Sequence, residues 1–165
     1  MANDCGYDMV VVGKTRESLD RMERILDHKD CEFFLYRVFN VATAELPELK
    51  NGLWQMMLVG NTAWSAAPWI TEKPESAPST ERGARMSNLQ EICKALDVGV
   101  EVYYEEYGKA IQGHFIVNHD GIVVESKFMQ DLKVEVDEEG FPDFVDGMED
   151  YGSWDEPAKI YGDAT

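Results

Sequence analysis

The chain has 165 residues, and its 32 Asp and Glu against 15 Lys and Arg give a formal net charge of −17. Such a field repels nucleic acid and attracts basic surfaces, so direct DNA or RNA binding is excluded as an expectation. The length is that of one domain able to bury about 70% of its extended surface, and no stretch approaches the roughly 18 apolar residues of a membrane span.

In chain order, Tyr7, Met9, Val10, Val11 and Val12 close on Gly13 and read as a buried strand. A helix follows, with Thr15 as N-cap and Leu19, Met22, Ile25 and Leu26 on one face. Residues 31–41 and 53–59 are aromatic and β-branched and should pair as neighbouring strands after the turn Lys50-Asn51-Gly52. Residues 42–49 are expected to be a connection holding at most a short edge strand. Residues 72–81, with Pro74 and Pro78 among Ser, Thr and Glu, have the composition of a solvated loop.

Met86, Leu89, Ile92, Cys93 and Leu96 then mark a second amphipathic helix. From Val98 the period changes to two. Val98, Val100, Val102 and Tyr104 point one way, and Gly99, Glu101, Tyr103 and Glu105 point the other. Gly108 turns the chain into 110–117, and His119-Asp120-Gly121 turns it again, Asp-Gly being a favoured tight-hairpin pair. The order strand, helix, strand, strand, helix, strand, with further hairpins, predicts an α+β fold. Its expected form is a ferredoxin-like antiparallel sheet with two helices on one face, an appended β-hairpin and an acidic C-terminal region. Residues 1–130 would be that domain, and residues 131–165 an extension packed on it or projecting from it.

Three stretches carry a family resemblance. The opening MANDCGYDMVVVG, the segment NTAWSAAPWITE with Thr62-Ala63-Trp64-Ser65, and the hairpin EVYYEEYGKAIQGHFIVNHDG together resemble the YubB ferredoxin-like family of phage and plasmid proteins. The resemblance spans roughly residues 1–125 and implies the ferredoxin-like fold and an origin on a mobile element. It transfers no catalytic residue, and the acidic tail lies outside it.

The charge is concentrated. Residues 131–165 hold twelve acidic side chains against Lys133 and Lys159, a net −10 of the −17. Glu135, Asp137, Glu139, Gly140, Asp143 and Asp146 fall at positions 1, 3, 5, 6, 9 and 12 of a calcium loop. The copy is poor: Glu and Asp are exchanged at its ends, and Pro142 follows position 7, so a solvated acidic turn is expected. Val134 and Val136 alternate with Lys133, Glu135 and Asp137, so a strand here shows carboxylates on one face about 6.6 Å apart, close to the spacing of phosphates on a nucleic-acid strand.

Other clusters give weaker signals. His114 and His119, with Glu101, Glu105 or Cys93, have the residue types of an acid-base pair or a metal site, but no third ligand has a defined spacing, and a structural role is expected. Trp64, Ser65, Pro68 and Trp69 read as a packed connection rather than an aromatic groove. Cys5, Cys31 and Cys93 form neither a disulfide framework nor a metal knuckle. With an opening that has no basic n-region or long apolar h-region, they lead us to expect a cytoplasmic protein of a bacterial host.

These readings converge on binding without turnover, with no catalytic residue, metal or cofactor. The expected partner is a basic nucleic-acid-binding host protein or complex, met by an acidic surface that imitates nucleic acid in the manner of an anti-CRISPR or anti-restriction inhibitor. The expected binding residues are Glu135, Asp137, Glu138, Glu139, Asp143, Asp146, Glu149 and Asp150, with Phe144, Tyr151 and Trp154 as anchors. Glu101, Glu105 and Glu106 form a second patch. The alternatives are a ferredoxin-like scaffold module whose charge only keeps it soluble and, third, a small enzyme using Trp64 to Trp69 with the histidines.

Overall fold

The structure is a computed structural model that describes residues 4–162. The first three residues of the family-like opening and Asp163 of the acidic tail lie outside the described residues.

β1 (Asp4–Gly13) alternates as its sequence demands, burying Cys5, Tyr7, Met9 and Val11 on one face and setting Gly6, Asp8, Val10 and Val12 on the other. α1 (Arg16–Leu26) starts at Thr15, whose hydroxyl oxygen accepts a hydrogen bond from the Ser18 amide at 3.2 Å, and buries Leu19, Met22, Ile25 and Leu26. After β2 (Phe33–Leu35), the chain forms β3 (Val38–Lys50) and β4 (Leu53–Ala63). Asn51 and Gly52, both at positive φ, give the tight turn between them the twist that antiparallel strands favour.

α2 (Pro68–Thr71) and β5 (Arg85–Ser87) lead to α3 (Leu89–Leu96), capped by Asn88, whose side-chain oxygen accepts from the Glu91 amide. Then come β6 (Val98–Glu106), β7 (Ile111–Val117) and β8 (Val123–Met129). The short hairpin β9 (Val134–Val136) and β10 (Pro142–Phe144) and the helix α4 (Pro157–Tyr161) complete the described chain. Among the described residues no helix is long and apolar enough to cross a membrane.

The main sheet has the order β3-β4-β1-β6-β7-β8, with every neighbouring pair antiparallel. This corrects the expected ferredoxin-like two-helix α+β class: the chain is mostly β, with only four short helices among the described residues, 18% helical. The reason lies in two segments. Residues 42–49 are not a connection but the middle of a 13-residue strand paired along β4, and the period-two pattern that begins at Val98 continues through three strands. The second long helix has only eight residues.

α1 and α3 cover one face of the sheet, where Leu19, Met22, Ile25, Leu89 and Ile92 meet Tyr7, Met9, Val11, Val100 and Val102 in the principal core. The C-terminal segment covers part of the opposite face. There Ile160 and Tyr161 join Val10, Val12 and Leu53, with Trp154 and Met57 packed against them. Gly99 permits this approach, since a Cβ at that position would lie 2.1 Å from the Ile160 carbonyl oxygen.

Candidate interaction surface

β9 and β10 pair with Asp143 opposite Glu135 and Phe144 opposite Val134. Side chains alternate across such a ribbon. Val134 and Phe144 are half-buried beneath it, Phe144 stacking on Tyr107 with ring centroids 4.7 Å apart, while Glu135, Asp137, Phe141, Asp143 and Val145 are exposed. The turn is organised by Asp137, whose Oδ1 accepts from the amides of Glu139 (2.9 Å) and Phe141 (2.8 Å), with Gly140 at φ 90°. The segment that resembled a calcium loop is thus a hairpin, and the carboxylate at its third position is engaged with backbone amides.

Beyond the hairpin the chain is tied to the sheet. The Met148 amide donates to Gln112 Oε1 at 2.6 Å, the Tyr103 hydroxyl donates to the Ser153 carbonyl at 2.9 Å, and the Asp155 amide donates to Glu101 Oε1 at 2.8 Å. Tyr151 and Trp154 both pack on the Tyr103 ring at 5.0 Å. Phe144, Tyr151 and Trp154, expected as anchors for a partner, therefore hold the segment to its own domain. Their apolar area is satisfied by Tyr103 and Tyr107, the nearest aromatic surface.

Burying a side chain such as Ile160 contributes about 1.5–3 kcal/mol, against about 0.2–1 kcal/mol for a cross-strand charge pair. Apolar packing thus outweighs the repulsion within the segment. Among the described aromatic residues of this segment, Phe141, 63% exposed at the hairpin tip, is the one that faces outward. The sequence counts Phe141 among the tail's aromatics with Phe144, Tyr151, Trp154 and Tyr161, but residue type alone does not separate its outward direction from the inward one of Phe144.

The expected second patch is not a surface patch. Glu101 is fully buried, and Glu106 is 6% exposed, its carboxylate accepting from the backbone amides of Gly108 and Lys109. Glu105, half-buried, accepts from the Tyr107 hydroxyl (3.0 Å) and Gln112 Nε2 (2.9 Å). It lies between two open hollows. One, of about 350 Å³, is lined by Gly6, Asp8, Asn40, Asn61, Glu105 and Tyr151 among others. Its neighbour, of about 390 Å³, shares Glu105 and Tyr151 and adds Asp143 and Glu149, and no basic side chain among the described residues lines either. Burial, and then the charge of Glu105, push the Asp8 carboxyl above its usual range.

The remaining acidic residues, Glu138, Glu139, Asp146, Glu149 and Asp150, are exposed. Among the described residues, the ion pairs made by the segment are Lys133 to Glu135 (3.5 Å), Lys127 to Asp150 (4.0 Å), Lys159 to Asp155 (3.1 Å) and Lys159 to Glu125 (3.4 Å). Among the described residues, none reaches Asp137, Glu138, Glu139, Asp143, Asp146 or Glu149, and no arginine pairs with the segment.

His114 and His119 are engaged with different partners. His114 Nε2 lies 2.8 Å from Glu101 Oε2, whereas His119 stacks on Tyr161 and its Nδ1 lies 3.0 Å from Asp97 Oδ1. Cys93 is buried in the principal core, which raises its thiol pKa. Trp69 is also in the core, its Nε1 donating to the Tyr36 carbonyl, while Trp64 lies under the cations of Arg37 and Lys109. The two tryptophans do not form a shared groove.

Comparison with family models, curated proteins and solved structures finds no match to this chain. These comparisons do not identify a YubB-like family.

Proposed function

We propose that this is a mobile-element protein that acts by binding in the cytoplasm of a bacterial host. On this reading its acidic C-terminal face occupies the cationic nucleic-acid groove of a host defence complex and excludes nucleic acid from it. The mechanism is steric and electrostatic competition without turnover. Long-range attraction speeds the encounter and aligns it, and apolar contact at Phe141 and Val145 completes the fit.

The observation that supports this most is the pairing of Asp143 with Glu135. Like charges placed directly opposite one another destabilise a ribbon, and a fold departs from its own stability rules chiefly where function requires it. The segment is ordered, and six of the carboxylates expected to bind, Asp137, Glu138, Glu139, Asp143, Asp146 and Glu149, have no ion pair among the described residues.

The test is capture of host proteins on immobilised wild type and on a Glu135→Lys, Glu138→Lys, Glu139→Lys, Asp143→Lys variant, at low and high salt. Asp137 is left in place because it holds the turn. Recovery of a nucleic-acid-binding protein by wild type at low salt, and its loss with the variant and with salt, is the expected result. Equal recovery of the same partner in all four samples contradicts the proposal.

The scaffold reading draws on a different feature. β3 is an edge strand exposing Phe39, Leu46 and Leu49, the kind of edge that recruits an added strand. It is indifferent to the charge reversals above.

A further inference from the structure

We propose that Glu101, His114 and Asp155 form a binding site for a divalent transition metal, Zn²⁺ by its donor chemistry, that fastens the C-terminal segment to the sheet. This revises the expectation that the chain has no metal site, and it stands independently of the mimicry reading. The three side chains come from β6, β7 and the stretch just before α4, and their ligand atoms all lie within 4.8 Å of one another. The side chain of Glu101 is 0% exposed and that of His114 is 7% exposed.

The local structure delivers each ligand. β6 and β7 are neighbours in the sheet, which brings Glu101 and His114 together on the face opposite α1 and α3, with His114 Nε2 2.8 Å from Glu101 Oε2. Tyr103 lies against the imidazole with ring centroids 4.4 Å apart, fixing its plane. Asp155 is placed by its own backbone, whose amide donates to the other oxygen of Glu101. The Glu101 carboxylate, held away from water, is stabilised by a positive group beside it, and Asp155, whose side chain is 29% exposed, leaves the site open to solvent on that side.

Lys159 supplies part of that charge from outside, 3.1 Å from Asp155 and 3.4 Å from Glu125. One imidazole and two carboxylates form an N/O donor set that suits Zn²⁺, while the imidazole counts against Mg²⁺ and Ca²⁺, which prefer oxygen alone. A metal here links two central strands to the segment bearing the acidic face. Its binding therefore stabilises the attached state of residues 151–161.

The experiment is calorimetric titration of the full chain with Zn²⁺ in excess Mg²⁺, which occupies the exposed carboxylates. Saturable binding of one Zn²⁺ per chain is expected, weakened by more than about tenfold in His114→Gln and in Asp155→Asn. Lys159→Gln, an exposed substitution that frees the Asp155 carboxylate, is expected to tighten Zn²⁺ binding, an effect that a merely hydrogen-bonded contact does not produce. NMR of the wild type supplies the readout if the core variant does not fold: one equivalent of Zn²⁺ must shift the His114 ring signals and leave those of His28 and His119 in place. Absence of saturable binding, binding retained in both ligand variants, or shifts confined to His28 or His119 overturns the assignment.

Discussion

Glu135 and Asp143 stand directly opposite one another on the outward face of the β9–β10 hairpin, with Lys133, 3.5 Å from Glu135, as the neighbouring cation. The pairing is a local conflict held in place by packing elsewhere, beneath the ribbon at Phe144 and Tyr107 and further along at Tyr103.

Relieving that conflict separates stability from binding. Asp143→Lys turns a repulsive pair into an attractive one and is expected to raise stability by about 0.2–1 kcal/mol in urea denaturation at low salt, a gain that shrinks as salt screens it. Capture of the basic partner is expected to fall in the same variant. A variant more stable and equally competent in binding would count against a functional role for the pair.

Asp8 gives a pH dependence of definite sign. Its carboxyl pKa is raised by burial and then by Glu105, so the folded state binds a proton more tightly than the unfolded chain. The group therefore removes stability as pH rises from about 3.9, the unfolded value, through its higher folded value. Asp8→Asn is expected to match the wild type in acid and to exceed it at neutral pH, read from urea melts across that range.

Asp30 has the opposite sign. Burial disfavours its charge, but hydrogen bonds from Arg21 and from the amides of Phe33 and Glu32 outweigh that and hold its pKa below the usual range. Its contribution is fully present above the unfolded pKa and is lost as pH falls through the folded one. Asp30→Asn is expected to cost about 1.5–3 kcal/mol at neutral pH, with the difference vanishing in acid, measured by the same melts.

Gly99 controls whether the acidic segment stays attached. Gly99→Ala places a methyl group against the Ile160 carbonyl and is expected to cost about 1–3 kcal/mol, felt first in α4. Limited proteolysis should then cut residues 150–162 before the sheet. Unchanged protection of α4 would show that the close approach is not needed.

Much of this was legible in local pattern. The apolar alternation of β1, the Thr15 cap, the buried stripe of α1, the Asn51-Gly52 turn and the period-two run from Val98 each state their structure within a few residues. What was not legible depended on distant partners. Ala42 and Thr43 look like a connection until β4 pairs with them, and Glu101 and Glu106 look like Glu105 until the C-terminal segment and the Gly108 turn engage them. The direction of Tyr151 and Trp154 was hidden for the same reason, because Tyr103, their shared contact, lies some fifty residues earlier. The link from Asp155 to Glu101 and His114 spans an even larger separation than the histidine spacing that drew attention to the region.

The most direct test of the binding account is competition: the captured host complex is loaded with fluorescent duplex DNA and titrated with the wild-type chain at several salt concentrations. Release of DNA at stoichiometric protein, weakening steadily with salt and abolished in the Glu135→Lys, Glu138→Lys, Glu139→Lys, Asp143→Lys variant, is the expected result. A ternary complex that retains its DNA while binding the protein would contradict it.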